Sequence, residues 1–515
     1  MRIDKNILFY LCLIIIKTSA DSDAPCISRD YGHGSVVCVC NATYCDTVVS
    51  TRPVPFQSVS IYSSTKSGSR FDFGVQKLFG LSPSINTNPT VITLDFEKRY
   101  QMIKGFGGAV TDAATINMMS LSAKTRENLL RSYFGVKGIE YNIGRVPIAS
   151  CDYSTHEYTY LDTPNDFNLT TFALAKEDMD YKIPILKHIY NITAKPISLY
   201  ASSWSAPAWM KTNDNEIGRG WLKGQAGDEY HKTWAKYYTK FFDEYKKHGF
   251  EFWGMTVQNE PSNGLLTSCS WQCLGFTAET ERDFIKTDLG PEMHNAGYEK
   301  IKIMILDDQR MFLPTWPKIV FGDKEAEKYV SGVGVHWYWN WLVGPTVLAD
   351  THNAFPDKFI LATEACNKDS PGPDLGSWDD GVKYSNDILD NLNNWAVGWV
   401  DWNMCLDING GPNWAKNYDD SPIIANATAD EFYKQPMFYH LGHFSKFLPE
   451  GSVRIHSSAN TEGPLKFVAA VTPSKQTVLV VLNPSSDEIP ITVMGKPYSF
   501  NYTIPADSIQ TFTWN

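Results

Sequence analysis

The chain has 515 residues, which at about 100–200 residues per domain predicts two to four domains and excludes a small protein held together by disulfides alone. Its 46 basic and 57 acidic residues give a net charge of −11 with no basic run, which argues against a nucleic-acid partner. Aromatic residues make up 13% of the chain, a composition that excludes a disordered protein and supplies flat rings on which sugars can stack.

The first twenty residues have the pattern of a secretory signal peptide. Arg2 and Lys5 form a basic start, residues 7–16 form an apolar run, and residues 18–20 form a small-residue cleavage region. This run is too short to cross a bilayer of about 30 Å as a helix, and no later run reaches about 18 residues without a charge or a proline. We therefore expect a soluble protein of the secretory pathway.

Two further patterns fit a secretory location. Four cysteines crowd into twenty residues and predict two disulfides, although four cysteines allow three pairings. These are Cys26, Cys38, Cys40 and Cys45. A zinc site is disfavoured because the cluster lacks paired Cys-X-X-Cys spacing. Five sequons predict glycosylation, at Asn41, Asn168, Asn191, Asn426 and Asn501.

Alternating apolar residues predict β-strands near both ends of the chain. Residues 46–100 carry short runs rich in β-branched and aromatic residues between clusters of Ser, Gly and Pro, and residues 467–514 carry four more. Strands at both ends of the chain predict a discontinuous β-sandwich.

Between about residues 105 and 400 the pattern changes to short apolar strands followed by amphipathic helices, such as 229–246 and 276–289. This alternation predicts an α/β fold, a (β/α)8 TIM barrel of about 250 residues. An open doubly wound sheet is the alternative, but no Gly-X-Gly-X-X-Gly motif follows an early strand. The full prediction adds an immunoglobulin-like β-sandwich and a small disulfide-bearing β-domain. We assign residues 1–20 to the signal peptide, 21–52 plus 403–436 to the small domain, 53–100 plus 451–515 to the sandwich, and 101–402 plus 437–450 to the barrel.

Two glutamates stand just past predicted barrel strands, where reactive groups of such barrels lie. Glu260 follows strand 252–257, and Glu364 follows strand 359–362. Their separation of 104 positions equals three barrel units of about 31–35 residues, so both should face one cleft. Either alone could be a structural carboxylate, but a facing pair is what glycosidic bond cleavage requires. Since two close negative charges cost energy, one carboxyl should keep its proton to higher pH and act as the acid.

Several long runs make the sequence similar to a known family. They cover residues 105–109, 145–147, 149–152, 203–209, 259–261, 306–310, 335–338, 364–366, 400–403, 410–414 and 434–447. Together they resemble the glucosylceramidases (acid β-glucosidases), within the retaining β-glycosidases of glycoside hydrolase family 30, over essentially the whole mature chain. The chain departs from the family pattern between residues 211 and 224 and at 367–374.

The resemblance implies residue roles. It makes Glu364 the nucleophile and Glu260 the acid/base, and it pairs the four N-terminal cysteines as Cys26–Cys38 and Cys40–Cys45. It implies glucose contacts at Asp152, Trp204, Asn259, Trp402 and Asn417, with Gln309, His336 and Tyr338 near the cleft rim. The Tyr338 phenol could donate a hydrogen bond to the nucleophile. We expect neither a cofactor nor a metal at His336, because no second His or Cys shares its strand.

The resemblance also implies a substrate and partners. The expected reaction is hydrolysis of a glucosylceramide-type glycolipid by double displacement in the lysosomal lumen, with secretion as the alternative location. A saposin-type activator and an anionic lipid surface are implied partners, with peripheral membrane contact only. Two alternatives stay open: a retaining enzyme for another β-glycoside, such as a xyloside, steryl glucoside or glucan, and a non-catalytic sugar- or lipid-binding homologue.

Overall fold

Eight parallel strands form a closed barrel in the computed structural model, which describes residues 23–48, 55–80, 89–368 and 371–515. The strands are β1 Gly105–Ala109, β2 Ile143–Ile148, β3 Ser198–Ser203, β4 Phe252–Thr256, β5 Lys302–Gln309, β6 Val330–His336, β7 Phe359–Glu364 and β8 Ala396–Asn403. They pair in chain order, and β8 closes the ring on β1. The predicted TIM barrel is confirmed. The predicted signal peptide lies outside the described residues.

Glycines permit close packing where β1 meets β8 and β2. A Cβ at Gly398 in β8 would lie 2.1 Å from the carbonyl oxygen of Gly105, and one at Gly107 in β1 would lie 1.9 Å from the carbonyl oxygen of Ile143. Real Cβ atoms do not approach backbone oxygens so closely, so glycine is required at both positions for this strand spacing. Part of the barrel interior is filled by a cluster that includes Ile143, Tyr200 and Val400.

Helices cover the outside of the barrel. They are Asp112–Ser120, Ala123–Phe134, Ile183–Ile192, Glu229–Lys247, Ala278–Phe284, Gly290–Asn295, Thr315–Phe321, Lys324–Glu327, Thr346–Ala354, Trp378–Asn393 and Pro436–Ser445. Shorter helical turns are the π-helical segments Asp178–Lys182 and Ile285–Leu289 and the 3-10 turns Ala208–Met210, Asn263–Leu265 and Arg310–Phe312. Helix Glu229–Lys247 shows why such segments pack on the sheet: Trp234, Tyr238, Phe241 and Tyr245 are buried and recur at helical spacing on one face.

A ten-stranded sheet joins both ends of the chain. In sheet order its strands are Asp72–Lys77, Ser58–Thr65, Ser508–Trp514, Thr477–Asn483, Lys466–Val471, Val453–Ala459, Thr90–Met102, Ile489–Gly495, Tyr498–Ile504 and Phe79–Gly80. Phe500 and Phe512 stand six strands apart in this order, yet their ring centroids are 5.3 Å apart. The sheet therefore folds over a shared apolar core into two facing layers, which is the predicted β-sandwich.

A small five-stranded sheet carries the N-terminal disulfides. Its strands, in sheet order, are Ser28–Asp30, Val36–Asn41, Glu431–Lys434, Ile423–Asn426 and Leu406–Asp407. The disulfides are Cys26–Cys38 and Cys40–Cys45, the pairing that the resemblance implies, and a third joins Cys269 and Cys273. The exact domain boundaries stay predictions.

The structure also bears on two surface properties. Asn168 and Asn191 are exposed, while the sequons at Asn41, Asn426 and Asn501 are half-buried, and their glycosylation stays a prediction. Within the described ranges, no helix is long and apolar enough to cross a bilayer.

Candidate active site

The carboxyl ends of the barrel strands bring the predicted site residues together. Gln309, His336 and Glu364 are the last residues of β5, β6 and β7, and the strand registers pair Gln309 with His336 and His336 with Glu364. The other predicted residues lie at or just past strand ends of the same face: Asp152 after β2, Trp204 after β3, Asn259 and Glu260 after β4, Tyr338 after β6, Trp402 within the end of β8, and Asn417 after it. Residues distant in sequence thus meet at one end of the barrel.

Glu260 sits on a turn that aims its carboxyl into the cleft. Its φ of +42° lies in the left-handed region, which costs a non-glycine residue conformational energy, and its backbone N–H donates to the Asp307 carbonyl at 2.9 Å. Gln309 Nε2 donates to its Oε1 at 3.0 Å, and Asn263 Nδ2 donates to its Oε2 at 2.6 Å. The Nδ1 atom of His336 lies 3.1 Å from Oε1. Three neighbours therefore fix the orientation of this carboxyl.

Glu364 is held by two different donors, one on each oxygen. The Tyr338 hydroxyl donates to Oε1 at 2.8 Å, as predicted, and the Arg145 guanidinium donates to Oε2. Burial raises the pKa of Tyr338 well above its usual range, so the phenol keeps the proton that it donates. A guanidinium and a phenol, one on each oxygen, therefore hold this carboxyl group in one orientation.

The two carboxyls face each other across a short gap. One carboxylate oxygen of Glu260, one of Glu364 and one ring nitrogen of His336 all lie within 4.8 Å of one another. Oxygens no more than 4.8 Å apart fit the carboxyl separation of about 5–5.5 Å in retaining glycosidases better than the about 6.5–9.5 Å that an inverting enzyme needs to admit water. The same three donors could in principle bind a metal ion, but the fully buried Arg145 cation bonded to Glu364 opposes another positive charge there.

Beneath the pair lies a buried charge network centred on Arg145 and Asp307, for which no role was expected from the sequence. Arg145, in β2, is fully buried and also donates to Asp307 Oδ2 at 2.9 Å and to Asn259 Oδ1 at 2.7 Å. Asp307 lies 3.0 Å from Nε2 of His336. A detectable clue was the lone arginine inside an otherwise apolar buried strand, because a buried charge needs a partner.

His336 lies deeper than expected. The resemblance placed it near the cleft rim, but its side chain is fully buried between Glu260 and Asp307. Burial lowers its pKa, yet the carboxylates of Glu364 and Asp307 outweigh burial and raise the pKa of His336 to about 10. With a carboxylate oxygen facing each ring nitrogen, the ring is a cation that donates on both sides.

This cation reverses the expected shift of the acid. We expected one of the two carboxyls, the acid, to have a raised pKa. Burial raises the pKa of Glu260, but the hydrogen bond and the charge of His336, together with the charges of Lys368 and Arg145, lower it, and the net direction is downward. Repulsion between two carboxylates alone would raise the pKa of one of them, but here the His336 cation lies beside both.

The remaining predicted residues lie at the same end of the barrel as the pair. Trp204 and Trp402 stack on each other with ring centroids 5.0 Å apart, so each has one face covered. Asn417 Nδ2 lies 3.4 Å from Asp152 Oδ2. Because Arg145 occupies the Asn259 side-chain oxygen, the Asn259 amide group is left to donate. This end of the barrel therefore combines aromatic rings, a carboxyl group and an amide donor, which are groups that can contact a sugar.

Known proteins share this architecture and sequence. The chain is 48% identical to the lysosomal acid glucosylceramidase of Mus musculus over 95% of each protein, and 44% identical to putative glucosylceramidase 3 of Caenorhabditis elegans over 93% of this chain and 92% of the relative. It is 27% identical to the endo-1,6-beta-D-glucanase BGN16.3 of Trichoderma harzianum over 80% of this chain and 84% of the relative. The crystal structure of SrfJ from Salmonella typhimurium superposes with a TM-score of 0.82 at 27% identity, covering 89% of this chain and 99% of SrfJ.

The family assignment covers both large parts of the fold. The glycosyl hydrolase family 30 TIM-barrel domain matches residues 103–448, and the glycosyl hydrolase family 30 beta sandwich domain matches residues 451–512. The first match spans more than half of the chain and contains every residue of the site described above. The chain therefore belongs to glycosyl hydrolase family 30 and is a glycoside hydrolase.

Proposed function

We propose that this protein is a retaining β-glucosidase that hydrolyses glucosylceramide to glucose and ceramide. The observation that carries the proposal is the approach of Glu260 and Glu364 to within 4.8 Å, each held by its own donors. Relatives named glucosylceramidases at 48% and 44% identity support the substrate.

The geometry suits a double displacement. In the first step Glu260 protonates the departing oxygen while Glu364 attacks the anomeric carbon and forms a glucosyl ester. Ester formation removes the negative charge of Glu364, which lowers the cost of ionising Glu260. Glu260 then takes a proton from water, and the hydroxide oxygen attacks the anomeric carbon and releases Glu364. Arg145 and Tyr338 bind the carboxylate that is regenerated.

The surroundings of the cleft support a lipid aglycone. Large apolar side chains are exposed on loops that follow barrel strands at the same end as the site: Trp221, Leu266, Met311, Trp341 and Leu342. Trp341 is 80% exposed, which is costly in water unless another apolar surface covers it. These loops fit contact with a bilayer that holds the ceramide tails, and we include an anionic lipid surface, a saposin-type activator and a lysosomal location in the proposal.

A substrate panel tests this function. Purified wild-type protein and Glu364→Gln would be assayed on glucosylceramide in anionic vesicles, p-nitrophenyl β-glucoside, p-nitrophenyl β-xyloside and a β-1,6-glucan. We expect the wild type to release glucose from glucosylceramide and Glu364→Gln to lose several orders of magnitude in kcat. Turnover of the glucan in place of both glucosides would favour the second candidate, a glucanase like the relative from Trichoderma harzianum. An unchanged activity of Glu364→Gln would refute the assignment of the nucleophile.

A further inference from the structure

A lysine on the loop after the proposed nucleophile lies against the Tyr338 ring. Lys368 lies four residues beyond Glu364, in the segment that departs from the family pattern. Its Nζ is 4.6 Å from the centroid of the Tyr338 ring, whose hydroxyl bonds the nucleophile, and 3.7 Å from Asp419 Oδ2. Its side chain is 39% exposed, whereas those of Arg145 and His336 are fully buried. Of these three cations, Lys368 is the one that a ligand can contact.

The partner of this lysine is an incompletely satisfied buried carboxylate. Asp419 is 1% exposed, and its Oδ2 accepts from the Cys366 thiol at 3.3 Å. Its Oδ1 has no hydrogen-bond partner among the residues that the structure describes. A carboxylate in this position needs a nearby cation, and Lys368 supplies it while keeping part of its own surface open.

Asp152, an expected glucose contact, interacts with the charges of both Lys368 and Asp419. Burial raises the pKa of Asp152 to about 7; Lys368 acts against this rise, Glu364 and Asp419 add to it, and the Asn417 amide opposes it. Three carboxyl groups, on the loops after β2, β4 and β8, therefore interact with the charge of Lys368: Asp152, Glu260 and Asp419, the last at 3.7 Å from Nζ.

We propose that Lys368, held by Asp419 above the Tyr338 ring, is a sugar-binding residue that donates a hydrogen bond to a hydroxyl of the bound glucose. This inference rests on the proposed β-glucosidase function. An ammonium group has three donors and the ionised form of Asp152 offers only acceptors, so together they can bind a hydroxyl group that both donates and accepts. Lys368 lowers the pKa of Asp152 against the effect of burial and so favours this ionised form.

The test compares four variants by kinetics on p-nitrophenyl β-glucoside between pH 4.5 and 8, together with thermal unfolding. Lys368→Met keeps the length of the side chain but removes the charge, and Lys368→Arg restores a cation. Asp419→Asn removes the anchor. Lys416→Met is the matched control, because this lysine is exposed on the loop that carries Asp419.

We expect Lys368→Met to raise KM about ten- to a hundredfold, the effect of losing one charged hydrogen bond, with a smaller change in kcat. Because the Asp152 pKa rises further without the lysine, the acid limb of kcat/KM should move to higher pH. Lys368→Arg should recover most of the loss, Asp419→Asn should weaken substrate binding less than Lys368→Met, and Lys416→Met should match the wild type.

An unchanged KM and an unchanged acid limb in a folded Lys368→Met protein would overturn the inference. So would a lowered unfolding temperature with normal kinetics, since that result would assign the lysine a structural role only. These results differ from failure of the proposed function, in which the wild type itself would hydrolyse no β-glucoside.

Discussion

Replacing Tyr338 with phenylalanine removes one hydrogen bond to Glu364, the proposed nucleophile, and little else. The phenol donates to Glu364 Oε1 at 2.8 Å, and its oxygen also lies 3.4 Å from the Cys366 sulfur. Phenylalanine retains the ring, its contact with His336 at a centroid distance of 6.1 Å and the face beneath Lys368. Arg145 continues to donate to Oε2, so the carboxylate of Glu364 keeps one of its two donors.

A hydrogen bond to a charged group contributes about 1.5–3 kcal/mol, which corresponds to about ten- to a hundredfold in rate. We therefore expect Tyr338→Phe to lower kcat/KM on p-nitrophenyl β-glucoside by that factor, with an unfolding temperature close to that of the wild type. Tyr418→Phe, at a tyrosine that is 39% exposed on the loop after β8, is the control and should leave kcat/KM unchanged. A kcat/KM for Tyr338→Phe within twofold of the wild type would refute the claim that this phenol supports the nucleophile.

Two further predictions follow from the buried charges and the N-terminal disulfides. His336→Gln removes the cation that lowers the pKa of Glu260, so the alkaline limb of kcat/KM should move to higher pH. The stabilisation of the fold by protonated His336 is complete below the ordinary histidine pKa of 6.5 and is lost as the pH rises through about 10. The unfolding temperatures of the wild type and His336→Gln should therefore converge between these two pH values. A difference in unfolding temperature that stays constant over this range would contradict the prediction. Replacing Cys26 and Cys38 with serine opens a loop of 12 residues and should cost about 2–3 kcal/mol in unfolding measurements, with glucosidase kinetics unchanged; an unaltered stability would contradict it.

The fold was largely predictable because strands and helices differ in the spacing of their apolar residues, which alternate in a strand and recur every three to four residues in a helix. Alternating runs at the chain ends predicted the sandwich, and strand–helix alternation predicted the barrel whose strands β4 and β7 carry the two glutamates. Strand ends were harder to predict. The strand predicted at 301–306 extends to Gln309, and its last residues are polar, a composition that is typical of loops. The third disulfide, Cys269–Cys273, was not predicted, because spacing alone did not distinguish these cysteines from buried thiols.

The site was predictable in its members and not in its electrostatics. Strand-end position placed Glu260 and Glu364 on one face, and the resemblance supplied the neighbouring residues. The direction of the Glu260 pKa depends on His336 standing between carboxylates from three different strands, an arrangement that no local pattern encodes. The position of Lys368 beside Asp419 likewise depends on two loops that are about fifty residues apart in the chain.

The central claim is that Glu260 and Glu364 act as a retaining pair across one sugar. Proton NMR of freshly released glucose tests it directly, because the anomeric signal reports the stereochemistry before mutarotation. We predict that β-glucose is the first product, as the short gap between the carboxyls requires. Initial release of α-glucose would contradict the account.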